Sequence, residues 1–214
     1  MKKILITGGS GLLGVNLAIR LRKKFKVFIL TNKKTINIPS TISIDGKAYL
    51  NEQKEYLKPD IVINTVALTN IELCEDNPYL AIEANLKYLE LLVVLCKKNN
   101  SKLVHISTDH LFDGLNPFSS EDSYVNPVNQ YAKTKLEAEN YVQNEISNAL
   151  IIRTNFFGWG PIYRNSFSDI IINTLKKKKE IFLFEDAFFS PVSTRRLSEI
   201  IVKLFEQDTH GIFN

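Results

Sequence analysis

Apolar residues recur along this chain in two rhythms, and their alternation predicts its architecture. Short runs rich in β-branched and aliphatic residues, Lys3 to Thr7 (KILIT), Lys26 to Leu30 (KVFIL), Ile61 to Asn64 (IVIN), Lys102 to Ile106 (KLVHI) and Ala149 to Ile152, read as strands, with Thr41 to Ile44 a weaker one. Between them, apolar positions return at helical spacing over about Gly11 to Lys24, Pro78 to Lys98 and Pro127 to Asn144. Strands that are apolar almost throughout are buried on both faces. The fold class expected is therefore α/β, a Rossmann-type doubly wound parallel sheet with helices on both sides. After Arg153 the rhythm loosens. Phe167 to Lys178 and Thr194 to Phe205 read as helices, Ile181 to Phe184 as extended, and Gly211 to Asn214 as the start of a strand with no partner to pair with. The expected division is a sheet domain at 1–153 and a small, incomplete second lobe at 154–214.

Composition narrows the function classes. The chain has 214 residues, 44% of them hydrophobic, which suits one domain with a partial second lobe and excludes a disordered chain. Its 27 basic and 23 acidic residues leave a net charge of +4, with no concentrated basic face to argue for nucleic acid. The longest like-charge run, Lys176-Lys177-Lys178-Lys179, ends at Glu180 and reads as a solvated helix end. A small anionic ligand fits such a charge equally well. Two cysteines, Cys74 and Cys96, build no disulfide framework and suit the reduced thiols of a cytosol. No apolar stretch reaches the roughly eighteen residues of a spanning helix. The run after Met1 stops at Gly8-Gly9, too soon for a signal peptide. A soluble, cytoplasmic protein with no membrane partner, no nucleic-acid partner and no metal site is expected.

The first chemical motif is Thr7-Gly8-Gly9-Ser10-Gly11-Leu12-Leu13-Gly14, at the junction of the first predicted strand and helix. Gly8 permits the tight turn out of the strand, Gly11 lets backbone approach a pyrophosphate, and Gly14 lets the helix pack on the sheet. The helix start then offers free N–H groups and the positive end of its dipole to phosphates. Glycines alone would be a structural turn. Their place between an apolar strand and an amphipathic helix makes Gly8, Ser10, Gly11, Leu12, Leu13 and Gly14 candidate dinucleotide contacts. At the end of the second strand, an acidic residue would select NAD through the ribose 2′-hydroxyl, and Leu30-Thr31-Asn32-Lys33-Lys34 has none. Asn32, Lys33 and Lys34 instead suit a 2′-phosphate, so NADP is the expected cofactor and NAD the alternative. Read without a ligand, the same residues are a solvated basic turn.

The second motif is Tyr131-Ala132-Lys133-Thr134-Lys135, which puts Tyr131 and Lys135 on one face of a predicted helix. A tyrosine titrating near its usual value of about 10 is a poor proton donor or acceptor at neutral pH, and a neighbouring ammonium would bring it toward the working range. Such a pair is common in helices and usually idle. What raises it is Ser107-Thr108, leaving the strand Lys102–Ile106 at the end of the sheet where ligands of parallel folds bind.

Several further segments, Pro59-Asp60-Ile61-Val62-Ile63-Asn64, His105 to Gly114 (HISTDHLFDG), Asn126 to Glu139 (NPVNQYAKTKLEAE), Arg153-Thr154-Asn155-Phe156 and Ser190-Pro191-Val192, carry a resemblance over essentially the whole chain. The chain resembles the extended short-chain dehydrogenase/reductase superfamily, and within it the dTDP-4-dehydrorhamnose reductase branch, to which the block Ser107–Gly114 is specific. The resemblance implies hydride transfer from a nicotinamide to the ketone carbon of a nucleotide-linked 4-keto sugar, in bacterial polysaccharide precursor synthesis. It implies that Tyr131 donates the proton, Lys135 tunes it and holds the nicotinamide ribose, and Thr108 bonds the carbonyl oxygen. It places Asn64, Val66, Ala67 and Leu68 along the cofactor, Asp45 near the adenine, and Asn85 in a structural role. Asp109, His110 and Phe156 are the candidate substrate contacts.

Departures from that branch bear on the expectation. Related dehydratases carry an Asp-Glu pair where this chain has Asp109-His110, so elimination lacks a carboxylate. His110 stands where the reductases usually carry tyrosine, and is either a solvated loop residue or a ligand to substrate phosphate or an acid. Leu68 replaces a tyrosine and Ala132 a glycine. For the aromatic cluster Phe156-Phe157-Gly158-Trp159-Gly160, core packing is expected, with stacking on a sugar or base the alternative. The other readings are an epimerase of the same superfamily and a non-catalytic NADP-binding regulatory subunit, and a homodimer is an admissible assembly. Beside the family the chain is short. The cofactor half is expected complete and the substrate lobe cut off, whether as a minimal variant or a truncated form.

Overall fold

The computed structural model describes residues 1–32, 36–51, 57–163, 165–186 and 188–214. Among them, β1 (Lys3–Thr7), β2 (Lys26–Thr31), β3 (Thr41–Asp45), β4 (Ile61–Asn64), β5 (Lys102–Ile106), β6 (Leu150–Ile152) and β9 (Gly211–Phe213) form one sheet in the order β3-β2-β1-β4-β5-β6-β9. Every neighbouring pair in it is parallel. Within each strand, alternate residues feed opposite cores. Ile4, Ile6, Val27, Ile29, Ile61, Ile63, Val104 and Ile106 join α1 (Leu12–Leu21) and α8 (Thr194–Glu206) on one face. Leu5, Phe28, Leu30, Val62, Leu103 and Ile151 meet α5 (Tyr88–Asn99) and α6 (Gln130–Glu145) on the other. Two buried faces are what the continuous apolar runs require.

Helix boundaries follow local chemistry. The helix expected from Pro127 begins only at Gln130, because Asn129 stays extended (φ −138°, ψ 163°) and its side chain accepts the Ala132 N–H. The helix expected over 78–98 is continuous but not uniform. After the short α2 (Gly46–Asn51), α3 (Ile71–Asp76) and α4 (Pro78–Ile82) lead into a π-turn at Glu83–Lys87 and then α5, which ends where Asn100 adopts a left-handed conformation. The π-turn carries the buried Asn85, whose amide bonds both backbone groups of Leu68 and the hydroxyl of Thr134.

The strand that lacked a partner in the sequence has one. β9 pairs with β6 from Leu150↔Gly211 to Ile152↔Phe213. α8 packs Leu197, Ile201 and Phe205 into the same core as α1. The boundary expected at 153 therefore leaves α8 and β9 on the far side of a cut from the sheet they complete. What departs from the sheet is the intervening stretch: β7 (Phe156–Phe157), which pairs with β8 (Val192–Ser193), and α7 (Phe167–Lys176). Ile181 to Phe184, expected as extended, forms no strand.

Candidate active site

The C-terminal ends of β1, β4 and β5 lie side by side, and the site is built on the turns that leave them. Gly8 takes φ +68°, and a Cβ there would sit 2.7 Å from Thr65 Oγ1 and 2.9 Å from its backbone carbon. A Cβ on Gly14 would lie 2.4 Å from the Gly8 carbonyl, whereas one on Gly11 meets only that carbonyl, at 3.1 Å. Gly8 and Gly14 are thus fixed by turn and packing, and Gly11 keeps backbone open. Gly11 is also the N-cap of α1 and makes no side-chain cap, which leaves the first-turn N–H groups to an external acceptor. An uncapped, sterically cleared helix start after a parallel strand fits a dinucleotide pyrophosphate. The Tyr163 hydroxyl donates to the Ser10 carbonyl at 3.0 Å, so the stretch between β7 and β8 reaches this turn.

Thr108 leaves β5 and caps a short 3-10 turn (Asp109–Leu111), accepting the His110 N–H at 3.2 Å. Its hydroxyl is hydrogen-bonded to Tyr131, the second residue of α6. Tyr131 is buried among Cys74, Ala81, Ala67 and Leu68. His110 is not simply solvated: its ring stands edge-on to Tyr131 with centroids 5.9 Å apart. Burial pushes the Tyr131 phenol up to about 12, with the Thr108 hydrogen bond pulling it down and the charges of Asp109 and Cys74 pushing it up. The ammonium expected to lower it is engaged elsewhere. Lys135 Nζ lies 3.1 Å from His105 Nε2 and 2.8 Å from the Ile106 carbonyl, and burial, opposed by the charge of Glu139, lowers it to about 8.

The remaining candidates divide. Asn64 is buried and wholly engaged within the protein: Oδ1 accepts from the Thr7 hydroxyl at 2.7 Å and the Val66 N–H at 3.1 Å, while Nδ2 meets His105. Ala67 and Leu68 flank Tyr131, and Asn85 fixes the Leu68 backbone, the structural role expected of it. Asp45 ends β3 opposite Thr31, and Asn32 is exposed just beyond β2. Lys33 and Lys34 lie outside the described residues. Phe156 sits in β7 and packs against the core that holds α1 and α8, as expected of its cluster, whereas Trp159 is 65% exposed and does not. Nothing in the sequence sets His105 apart from its neighbours in β5 or joins Glu139 to Arg153. Glu139 carried one available signal, standing one helical turn beyond Lys135 on α6. The sealed hydroxyl of Ser107 has no partner among the described residues and lies one residue before Thr108.

The chain matches the family model described as RmlD substrate binding domain over residues 1–213. It is 30% identical to the spore coat polysaccharide biosynthesis protein SpsK of Bacillus subtilis, over 100% of this chain and 73% of that protein. It is 26% identical to the dTDP-4-dehydrorhamnose reductase of Aggregatibacter actinomycetemcomitans, over 97% of this chain and 68% of that protein. Among solved structures, the dTDP-4-dehydrorhamnose reductase of Bacillus anthracis in complex with NADP superposes with a TM-score of 0.85 at 27% identity, covering 99% of this chain and 74% of that one.

Proposed function

From the premise that this chain belongs to the RmlD substrate binding domain family, we infer that it is an NADP(H)-dependent reductase of a nucleotide-linked 4-keto sugar. The observation that carries the reading is the buried Tyr131 phenol hydrogen-bonded to Thr108, at the same edge of the sheet as an uncapped glycine turn. The relatives named as reductases of dTDP-linked keto sugars, and the NADP complex of the B. anthracis enzyme, support the substrate class and the cofactor. Gly8, Ser10, Gly11, Leu12, Leu13 and Gly14 would hold the pyrophosphate, Val66, Ala67 and Leu68 would line the nicotinamide side, and Asn32 would face the 2′-phosphate. When bound, NADPH supplies hydride to the keto carbon. Tyr131 gives its Oη proton to the keto oxygen, turning the ketone into a secondary alcohol, and the Thr108 hydroxyl holds that oxygen in place. Burial serves this role. A phenol held protonated at about 12 stays loaded at neutral pH, and its proton leaves only toward the alkoxide forming beside it.

The test is NADPH oxidation with dTDP-4-dehydrorhamnose and related 4-keto nucleotide sugars. Tyr131→Phe is expected to lower kcat by roughly 10²–10⁴-fold while NADPH still binds. Tyr131→Phe turning over as fast as the wild type, or NADPH binding with no turnover of any 4-keto sugar, would overturn the reading.

A further inference from the structure

Five hydrogen-bonding side chains form one line from α5 across the sheet to α6, and its polarity is fixed at one end. The Val66 backbone N–H can only donate, so the Asn64 atom it meets at 3.1 Å is Oδ1, which also accepts the Thr7 hydroxyl at 2.7 Å. Tyr88, the first residue of α5, is the neighbour of Thr7 at the far end of the line. Asn64 Nδ2 therefore faces His105, donating to Nδ1 at 3.1 Å. A neutral imidazole that accepts at Nδ1 carries its proton on Nε2. Burial holds His105 well below the ordinary histidine range and keeps the ring neutral, and Lys135 lowers it further whenever it carries its proton. Its Nε2–H then points at Lys135 Nζ, 3.1 Å away, while Nζ has the Ile106 carbonyl at 2.8 Å. A neutral amine satisfies both neighbours, accepting from Nε2–H and donating to Ile106. An ammonium has no lone pair and would meet Nε2–H donor against donor.

We propose that His105 is a positioning residue for Lys135: in the Nε2–H tautomer that Asn64 imposes, it bonds the lysine in its neutral-amine form and so lowers the lysine's affinity for a proton. Uptake of a proton breaks that bond and frees the ammonium to act on Tyr131, one helical turn back on α6. The inference rests on the proposed reductase reading only for this last consequence. Tyr131 and Glu139 stand on α6, and Arg153, at the end of β6, offsets Glu139 through a bidentate pair. Asp109 and Cys74 act on Tyr131, and Tyr88 closes the far end of the line. The lowering of Lys135 to about 8 by burial runs in the same direction as the geometry.

Long-range proton–nitrogen spectra of labelled imidazoles in the free protein read the tautomer directly, and the Lys135 Cε resonance, assigned with Lys135→Arg, reads its titration. The wild type is expected to show His105 with Nδ1 bare and Nε2 protonated, and Lys135 titrating well below the ordinary lysine value. Asn64→Asp reverses the line. A carboxylate accepts Nδ1–H, Nε2 turns acceptor, and the proton affinity of Lys135 rises by at least about tenfold. If that variant does not fold, His105→Gln, which can turn an amide oxygen to Nζ, is expected to shift Lys135 the same way. A wild-type ring protonated on Nδ1, or a Lys135 midpoint unmoved in the folded variant, overturns the proposal. None of these spectra needs turnover, so failure of the reductase reading and failure of this one are seen separately.

Discussion

Along β4, β5 and α6, charged side chains are sealed from water. Between β7 and β8, phenylalanines stand in it. Lys135 and Glu139 are 1% and 0% exposed, whereas Phe182 and Phe188 are each 92% exposed. Polarity alone would have placed them the other way round. What separates the two regions is partners. Glu139 receives both Nε and Nη2 of Arg153, at 2.9 to 3.2 Å, and Arg153 also lies over the Phe112 ring. The stretch from 158 to 191 has α7, on which no residue is buried, and apart from the Tyr163 hydroxyl on the Ser10 carbonyl the side-chain hydrogen bonds among its described residues are local: the Asp169 carboxylate accepts from Gly160 N–H, Ser166 N–H and the Ser166 hydroxyl. Burial in this protein follows the availability of hydrogen-bonding geometry, and apolar surface is buried only where an element lies opposite to receive it.

The comparison breaks most visibly at the ion pair. Glu139→Ala leaves a guanidinium buried without its carboxylate and is expected to cost about 3–5 kcal/mol in urea unfolding, while the double change Glu139→Leu with Arg153→Met recovers most of it. Equal losses in the single and double variants would show that packing, not an unpaired charge, sets the penalty.

A smaller effect is the pH dependence carried by Lys135. Its folded value of about 8 lies below the ordinary lysine value of 10.5, so between these values the unfolded chain binds more protons than the folded one, and stability contributed at this site rises with pH. Cys96, Tyr88 and Tyr131, each pushed up to about 12 by burial, act in the opposite sense as their unfolded forms lose protons. The comparison is therefore wild type against Lys135→Met. Wild type is expected to gain relative stability from about pH 8 to about 10.5, and a flat difference across that window would place Lys135 at its ordinary value. In the exposed region the expected effect is smallest: Phe184→Ser, at a side chain 87% exposed, should change unfolding stability by less than about 0.5 kcal/mol. A larger loss would mean that this segment buries more in solution than the structure shows.

Much of the fold was legible in the residues. Three strands, Lys3–Thr7, Ile61–Asn64 and Lys102–Ile106, lie where the apolar runs put them, because a strand buried on both faces is apolar through most of its length. The glycine turn was legible for a similar reason, since no other side chain fits at 8 or 14. The place of β9 was not. Gly211 to Asn214 reads as the start of a strand, but its partner, β6, lies about sixty residues back in the chain and no local pattern points to it. Tyr131 was legible as a candidate from its four-residue spacing to Lys135, and Thr108 from its place at the end of a parallel strand, because both are local facts. The engagement of Lys135 was not, because its partners, His105 Nε2 and the Ile106 carbonyl, stand on a strand about thirty residues back in the chain.

By itself, then, the sequence determined the periodicities: which segments are strands and helices, which turn admits a phosphate, and which residue types stand ready for proton transfer. These are set within a few neighbouring residues. Tertiary structure alone decided which of those groups meet, and in what protonation state. The return of α8 and β9 to the sheet, the sealing of Glu139 against Arg153, and the turning of Lys135 from Tyr131 to His105 each join residues far apart in the chain. Their energies depend on burial and on hydrogen-bond direction, and no local pattern encodes either.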